Sequence, residues 1–173
     1  MWVFGYGSLM WDGWEKEHGS TKNARASLAG FERDFNKAST KNWGSPTDRG
    51  PTLGLRRSST GKCEGLAFEL PDEARLQVMD TLERREGESF GLEEKDIELE
   101  SGERVKALVP VNDTSKATYI GNLTLAERTR MAKCAQGSNG TCASYVKGIH
   151  DKLTELGISD QVVRDFWSEL SRE

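Results

Sequence analysis

The sequence predicts an α+β fold in a single domain over residues 1–173. Two observations carry that reading. Short runs with strand-like alternation crowd the first two thirds of the chain, and most of the helical periodicity follows them. A length of 173 residues with 35% hydrophobic side chains is enough to bury a core without disulfides or a structural metal. No long linker, repeat or low-complexity tract divides the chain.

The first element is the bulky segment 1–6, which reads as a strand broken by Gly5-Tyr6-Gly7-Ser8. Further strands are expected at residues 28–35, 52–56 and 63–70, with Ser58-Ser59-Thr60-Gly61 as a hairpin turn between the last two. In 63–70, Leu66, Phe68 and Leu70 share one face while Gly65, Ala67 and Glu69 share the other. Residues 95–99 and 104–111 flank Glu100-Ser101-Gly102 as a hairpin, with Val105, Ala107, Val109 and Val111 turned inward. About six strands result.

Helices come next. Pro71 followed by Asp72 and Glu73 marks a helix start, since proline suits the first helical position and acids the positive end of the dipole. Ala74, Val78, Met79 and Leu82 supply its apolar stripe. Thr124 and Glu127 have capping-box spacing, and Gly137 is expected to close that helix. A third helix carries Tyr145, Ile149, Leu153 and Leu156 and stops at Gly157. A fourth starts near Ser159 and buries Val163, Phe166, Trp167 and Leu170.

Composition excludes several classes of function. The 24 basic and 28 acidic residues leave a net charge of −4, against a nucleic-acid partner. No apolar run approaches the roughly 18–20 residues of a membrane span, and the amino terminus lacks a signal-peptide pattern, so a cytosolic location is expected. Cys63, Cys134 and Cys142 have no CxxC spacing and read as free thiols, and the sequons at Asn122 and Asn139 carry no meaning there. His18 and His150 are too few for a multi-histidine metal site and read as surface or satisfied histidines.

Nucleotide motifs also fail. Gly5-Tyr6-Gly7 follows a strand, but Met10 stands where the dinucleotide fingerprint needs glycine, and Gly61-Lys62-Cys63 lacks the rest of a phosphate loop. Two segments remain. Phe4-Gly5-Tyr6-Gly7-Ser8-Leu9 is either a simple glycine turn or a nest, in which glycines in unusual dihedrals let backbone amides converge on a small anion such as a carboxylate. Leu82-Glu83-Arg84-Arg85-Glu86-Gly87-Glu88-Ser89-Phe90 ends the first long helix. Its acids oppose the negative end of the dipole, so Glu86 is either locally misplaced for a function or part of a solvated run neutralised by Arg84 and Arg85.

Residues 1–11, ending in Phe4-Gly5-Tyr6-Gly7-Ser8-Leu9-Met10-Trp11, are followed by Gly30-Phe31-Glu32-Arg33-Asp34-Phe35 with Ser39, and by Leu82-x-x-Arg85-Glu86 with Phe90. Together they resemble the ChaC-like γ-glutamylcyclotransferase family. The likeness continues through Tyr119-Ile120-Gly121 and residues 137–145 and so covers nearly the whole chain in order. It implies a small mixed β-barrel with surrounding helices. It further implies a substrate-binding loop of Tyr6, Gly7, Ser8 and Leu9, Tyr145 near the substrate, and Glu86 as catalytic acid/base. No metal or organic cofactor is expected, and the only implied partner is a small γ-glutamyl substrate. The implied reaction turns glutathione into 5-oxoproline and Cys-Gly by attack of the substrate's own α-amine. One departure bears on the leaving amine: glutathione-acting relatives commonly read His-Arg-Gly where this chain has Asn42-Trp43-Gly44. Another γ-glutamyl amine, or a non-catalytic γ-glutamyl-binding role, are the alternatives.

Overall fold

A computed structural model describes residues 1–172. Strands β1 (Trp2–Gly5), β2 (Lys22–Ser39), β3 (Gly50–Glu69), β4 (Phe90–Leu99) and β5 (Arg104–Asn112) close a barrel in the order β1-β3-β2-β4-β5. β1 runs antiparallel to β3 and parallel to β5, so the sheet is mixed as expected. The helices are α1 (Arg75–Glu86), α2 (Leu125–Cys134), α3 (Cys142–Glu155) and α4 (Gln161–Leu170). A two-stranded ribbon of β6 (Gln136–Gly137) and β7 (Gly140–Thr141) precedes α3.

The chain falls into two compact units. The first comprises Met1–Glu32 and Arg56–Asp113; the second comprises Arg33–Leu55 and the described residues from Thr114 onward. The first unit holds β1, β4, β5 and α1 with the first half of β2 and most of β3. Its core is apolar, with Val3, Phe4, Phe68, Leu82, Ile97 and Val109 all buried. The 90–112 hairpin pairs Phe90 with Asn112 through to Glu98 with Arg104, and Gly102 turns it at φ +85°. Its burial departs from simple alternation: residues 107–110 are buried on both faces, while Val105 and Val111 are half-buried. The same holds in β3, where Ala67 is as buried as Leu66 and Phe68.

The expected turn at Ser58-Ser59-Thr60-Gly61 is not a turn between two strands, since β3 continues through it. Glu32 on β2 accepts from the Ser58 hydroxyl at 3.0 Å and the Arg56 guanidinium at 2.8 Å, which holds the exposed stretch against β2. The glycine signal has a physical basis all the same. A Cβ on Gly61 would lie 2.6 Å from Ser58 Cβ, so close packing favours glycine there. The first helix also starts later than Pro71: residues Asp72–Ala74 form a 3₁₀ turn, closed by the Ala74 amide on the Pro71 carbonyl at 3.1 Å, and α1 follows at Arg75.

In the second unit Phe35 stacks on Phe166 at 3.9 Å, and Val146, Ile149 and Val163 are fully buried around α3 and α4. The capping box at α2 forms: the Thr124 hydroxyl accepts from the Glu127 amide, and the Glu127 carboxylate accepts from the Thr124 amide at 2.7 Å. Gly137 does not close this helix, which ends at Cys134, three residues earlier. Gly137 lies in β6, where a Cβ would sit 2.4 Å from the Lys41 carbonyl oxygen, so close packing is what requires glycine. Gly157 follows α3 at φ +66°, as expected of a helix stop.

Candidate active site

β1 delivers the chain into the loop through Gly5, whose missing side chain is a packing requirement. A Cβ there would approach Leu9 Cβ to 3.0 Å. Ser8–Met10 form a 3₁₀ turn, with the Met10 amide on the Gly7 carbonyl at 3.0 Å and the Trp11 amide on the Ser8 carbonyl at 3.2 Å. The expected unusual dihedrals are found at Gly7, with φ −125° and ψ −135°, whereas Gly5 has no positive φ. A 3₁₀ turn offers no acceptor within itself to its first amides, here those of Ser8 and Leu9. Gly7 and Ser8 are partly exposed, whereas Tyr6 and Leu9 are buried.

Buried side chains fasten the loop from below. The Tyr6 hydroxyl donates to the Pro110 carbonyl of β5 at 2.7 Å, so this ring serves as an anchor in the barrel wall. The Trp14 indole donates to the Leu9 carbonyl at 3.1 Å and meets Phe68 edge-on at 5.7 Å. The Trp14 amide donates to the Asp12 carboxylate at 3.3 Å, and the second oxygen of Asp12 pairs with Arg85.

Arg85 belongs to the last turn of α1, and Glu86 is the last residue of that helix. Gly87, at φ +68°, ends it and leads into the 3₁₀ turn Gly87–Ser89. Burial separates the three neighbouring carboxylates: Glu86 is half-buried, while Glu83 and Glu88 are exposed. The adjacent arginines have partners of their own, Arg84 with Asp80 at 2.7 Å and Arg85 with Asp12. The first unit therefore contains the loop and Glu86 together. Sequence reasoning missed Asp12, Trp14 and the role of Arg85; Asp12 and Arg85 are 73 residues apart, with no local pattern linking them.

Tyr145 lies in the second unit, buried on α3. Its hydroxyl accepts from the Leu53 amide at 3.1 Å, and its ring sits 5.2 Å from that of Trp43. The Asn42-Trp43-Gly44 segment is well held, with the Trp43 amide on the Ser39 hydroxyl at 3.1 Å. A Cβ on Gly44 would lie 2.4 Å from the Ser39 carbonyl oxygen.

The histidines divide. His150 lies 3.4 Å from the Asp151 carboxylate. His18 corrects the expectation of a surface or satisfied ring: both its nitrogens are buried without a hydrogen-bond partner, in a 3₁₀ turn that sets the ring 5.9 Å from Trp14. All three cysteines are free, Cys134 exposed and the others buried. Burial pushes the Cys142 thiol up to about 12, and it donates to the Pro51 carbonyl, so it is a packing group and no nucleophile. Among the described residues, no three of His, Cys, Asp and Glu gather in a way that could hold a metal ion. None of the helices among those residues is long and apolar enough to cross a membrane.

Known proteins resemble this chain along nearly its whole length. The glutathione-specific γ-glutamylcyclotransferase of Escherichia coli is 28% identical over 95% of this chain and 70% of its own. The γ-glutamylcyclotransferase 2-3 of Arabidopsis thaliana is 26% identical over 98% of this chain and 88% of its own. In three dimensions, the crystal structure of a yeast γ-glutamyl cyclotransferase specific to glutathione superposes with a TM-score of 0.87. At 19% identity it covers 98% of this chain and 95% of that one, which establishes the shared fold. The sequence profile of ChaC-like proteins matches residues 1–172, through both units, and the chain belongs to that family.

Proposed function

We propose that the protein is a cytosolic γ-glutamylcyclotransferase that cleaves glutathione into 5-oxoproline and Cys-Gly. The observation that carries this reading is the position of Glu86. It is a half-buried carboxylate at the end of α1, in the same unit as a loop whose opening amides have no acceptor in their own turn. Membership of the ChaC-like family and the names of the two curated relatives support the same activity.

The chemistry follows from those groups. The Ser8 and Leu9 amides bind the substrate's α-carboxylate, which holds the flexible glutamyl chain folded so that its α-amine reaches its own γ-carbonyl. Glu86 accepts a proton from the α-ammonium, because only the free amine has a lone pair to donate. The amine nitrogen bonds to the γ-carbon and gives up a second proton as the amide C–N bond breaks; the proton held by the Glu86 carboxyl and this second proton both end on the departing nitrogen, so that Cys-Gly leaves as its ammonium. No water is consumed. Rate should fall on acidification, since a protonated carboxyl cannot accept. Tyr6 fixes the loop from the barrel side. Tyr145 is assigned to the substrate-binding set on the family resemblance.

The uncharged Asn42-Trp43-Gly44 segment favours one second reading, the same reaction on a γ-glutamyl compound with a different leaving amine. Incubation with a panel of γ-glutamyl peptides and amines, followed by mass spectrometry of 5-oxoproline, decides between them. We expect glutathione to turn over fastest, and at the same rate after exhaustive chelation and dialysis. Faster cleavage of another member of the panel selects the second reading. A panel that stays intact leaves only a binding protein.

A further inference from the structure

We infer that Asp12 and Arg85 are positioning residues, an ion-paired clasp that registers the anion-binding loop against the helix end bearing Glu86. The inference rests on the cyclotransferase reading and deepens it. A continuous line of bonds supports it, all within the first unit. The Leu9 carbonyl accepts from the Trp14 indole at 3.1 Å; the Trp14 amide donates to Asp12 Oδ1 at 3.3 Å; Asp12 Oδ2 pairs with Arg85; and Glu86 is the next residue. Leu9 and Glu86 are the two ends of this line, one in the loop that orients the substrate and one supplying the base.

The pair differs from the other ion pairs of this helix and its neighbourhood. Arg84 and Asp80 pair along one face of α1, both well exposed, and Arg75 reaches Glu94 at only 3.8 Å. Such contacts contribute little, because water screens them and two long side chains must be immobilised. The side chains of Asp12 and Arg85 are each 29% exposed, and the Asp12 carboxylate is fixed by a second bond to the backbone. A planar guanidinium on a pre-oriented carboxylate is a directional joint as well as an attraction of charge. A joint is needed here because Gly87 follows Glu86 at once, which leaves the end of α1 without helical continuation. Ring closure is sensitive to such geometry, since a displacement of about 1 Å can cost about a hundredfold in rate.

A double-mutant cycle on the full chain tests the assignment. Asp12→Asn keeps an acceptor for the Trp14 amide but loses the charge, and Arg85→Met keeps the length of the stem. Each single variant should lower kcat for 5-oxoproline formation by about 10- to 100-fold while the melting temperature stays close to the parent's. The double variant should be no slower than the worse single, since both changes break one joint. Arg85→Lys should recover part of the loss, and Arg84→Met, which touches only Asp80, should match the parent. Losses that multiply in the double variant, or single variants at the parental rate, overturn the clasp. Should a single variant unfold, the charge-exchanged pair Asp12→Lys with Arg85→Glu must be more active than Asp12→Lys alone, or the clasp is likewise overturned. A parent that forms no 5-oxoproline overturns the functional reading and the clasp with it; an active parent with multiplying losses overturns the clasp alone.

Discussion

The two units keep their polar groups in opposite places. Of the buried polar and charged residues, Arg33, Asp34, Asn36, Ser39, Thr52 and Thr129 all belong to the second unit, and only Asn112 to the first. In the second unit these groups find partners: Arg33 with Asp160 at 3.0 Å, Asp34 with Arg128 at 2.6 Å, and the Asn36 amide on the Leu55 carbonyl. Asp160 also caps α4 by accepting from the Val163 amide at 3.1 Å. The first unit has an apolar barrel, and the polar groups of its loop and of the end of α1 stay half-exposed. Buried pairs whose removal leaves a charge stranded hold a structure. Half-exposed groups can be reached from solvent. The contrast gives the second unit's polar residues an architectural role and is consistent with the chemistry proposed for Glu86 in the first.

That contrast can be broken most directly at Glu86. Glu86→Gln preserves size and hydrogen bonding but cannot take the proton, so turnover should fall by roughly two to four orders of magnitude with native stability. Glu83→Gln and Glu88→Gln should remain near the parental rate; a dead Glu83→Gln would move the chemistry elsewhere. The mirror experiment is Arg33→Met. Removing a guanidinium with no exposed surface strands Asp160 and should cost about 3–5 kcal/mol in urea denaturation, with turnover per folded molecule unchanged. Adding Asp160→Asn, which keeps an acceptor for the α4 cap, should restore much of that stability. A loss below about 1 kcal/mol in Arg33→Met would deny the buried pair its structural role.

The smallest effect concerns acid. The Glu127 carboxyl is held below its ordinary value of 4.5, first by the Thr124 amide and then by the Thr124 hydroxyl. A depressed carboxylate stabilises the fold above its unfolded pKa and loses that contribution as the pH falls through the lowered folded value. NMR titration of the Glu127 carboxyl carbon should therefore show a midpoint below 4.5, rising in Thr124→Val. A midpoint at or above 4.5 in the parent would mean that the cap is not formed in solution.

What could be read in advance was local. The capping box needs only Thr124 and Glu127 three residues apart, and the hairpin announces itself over 95–99 and 104–111, although β4 begins earlier, at Phe90. The helical second half was legible too. The length of β3 was not, because pairing with β2 carried the strand through a composition that signals a turn. Within the site, Gly5-Tyr6-Gly7-Ser8 and Arg85-Glu86 stand out as motifs; Gly7 has the unusual dihedrals a glycine signal suggests, while Gly5 is held to glycine by close packing against Leu9. The Asp12–Arg85 and Arg33–Asp160 pairs join residues 73 and 127 positions apart. No periodicity connects such partners, so only the closed structure displays them.

β1 carries a consequence for how the chain acquires its activity. This four-residue strand has β3 on one side and β5 on the other, and Tyr6, just beyond it, bonds to a carbonyl 104 residues downstream. Contacts of such long range are closed late and at high entropic cost, which slows folding of barrels relative to helical domains. β3 can pair with this strand first, but it is held on both sides only once β5 has also closed on it. The loop that follows β1 is thus among the last parts of the first unit to assume its shape, since its anchor at Tyr6 waits for the closure to Pro110.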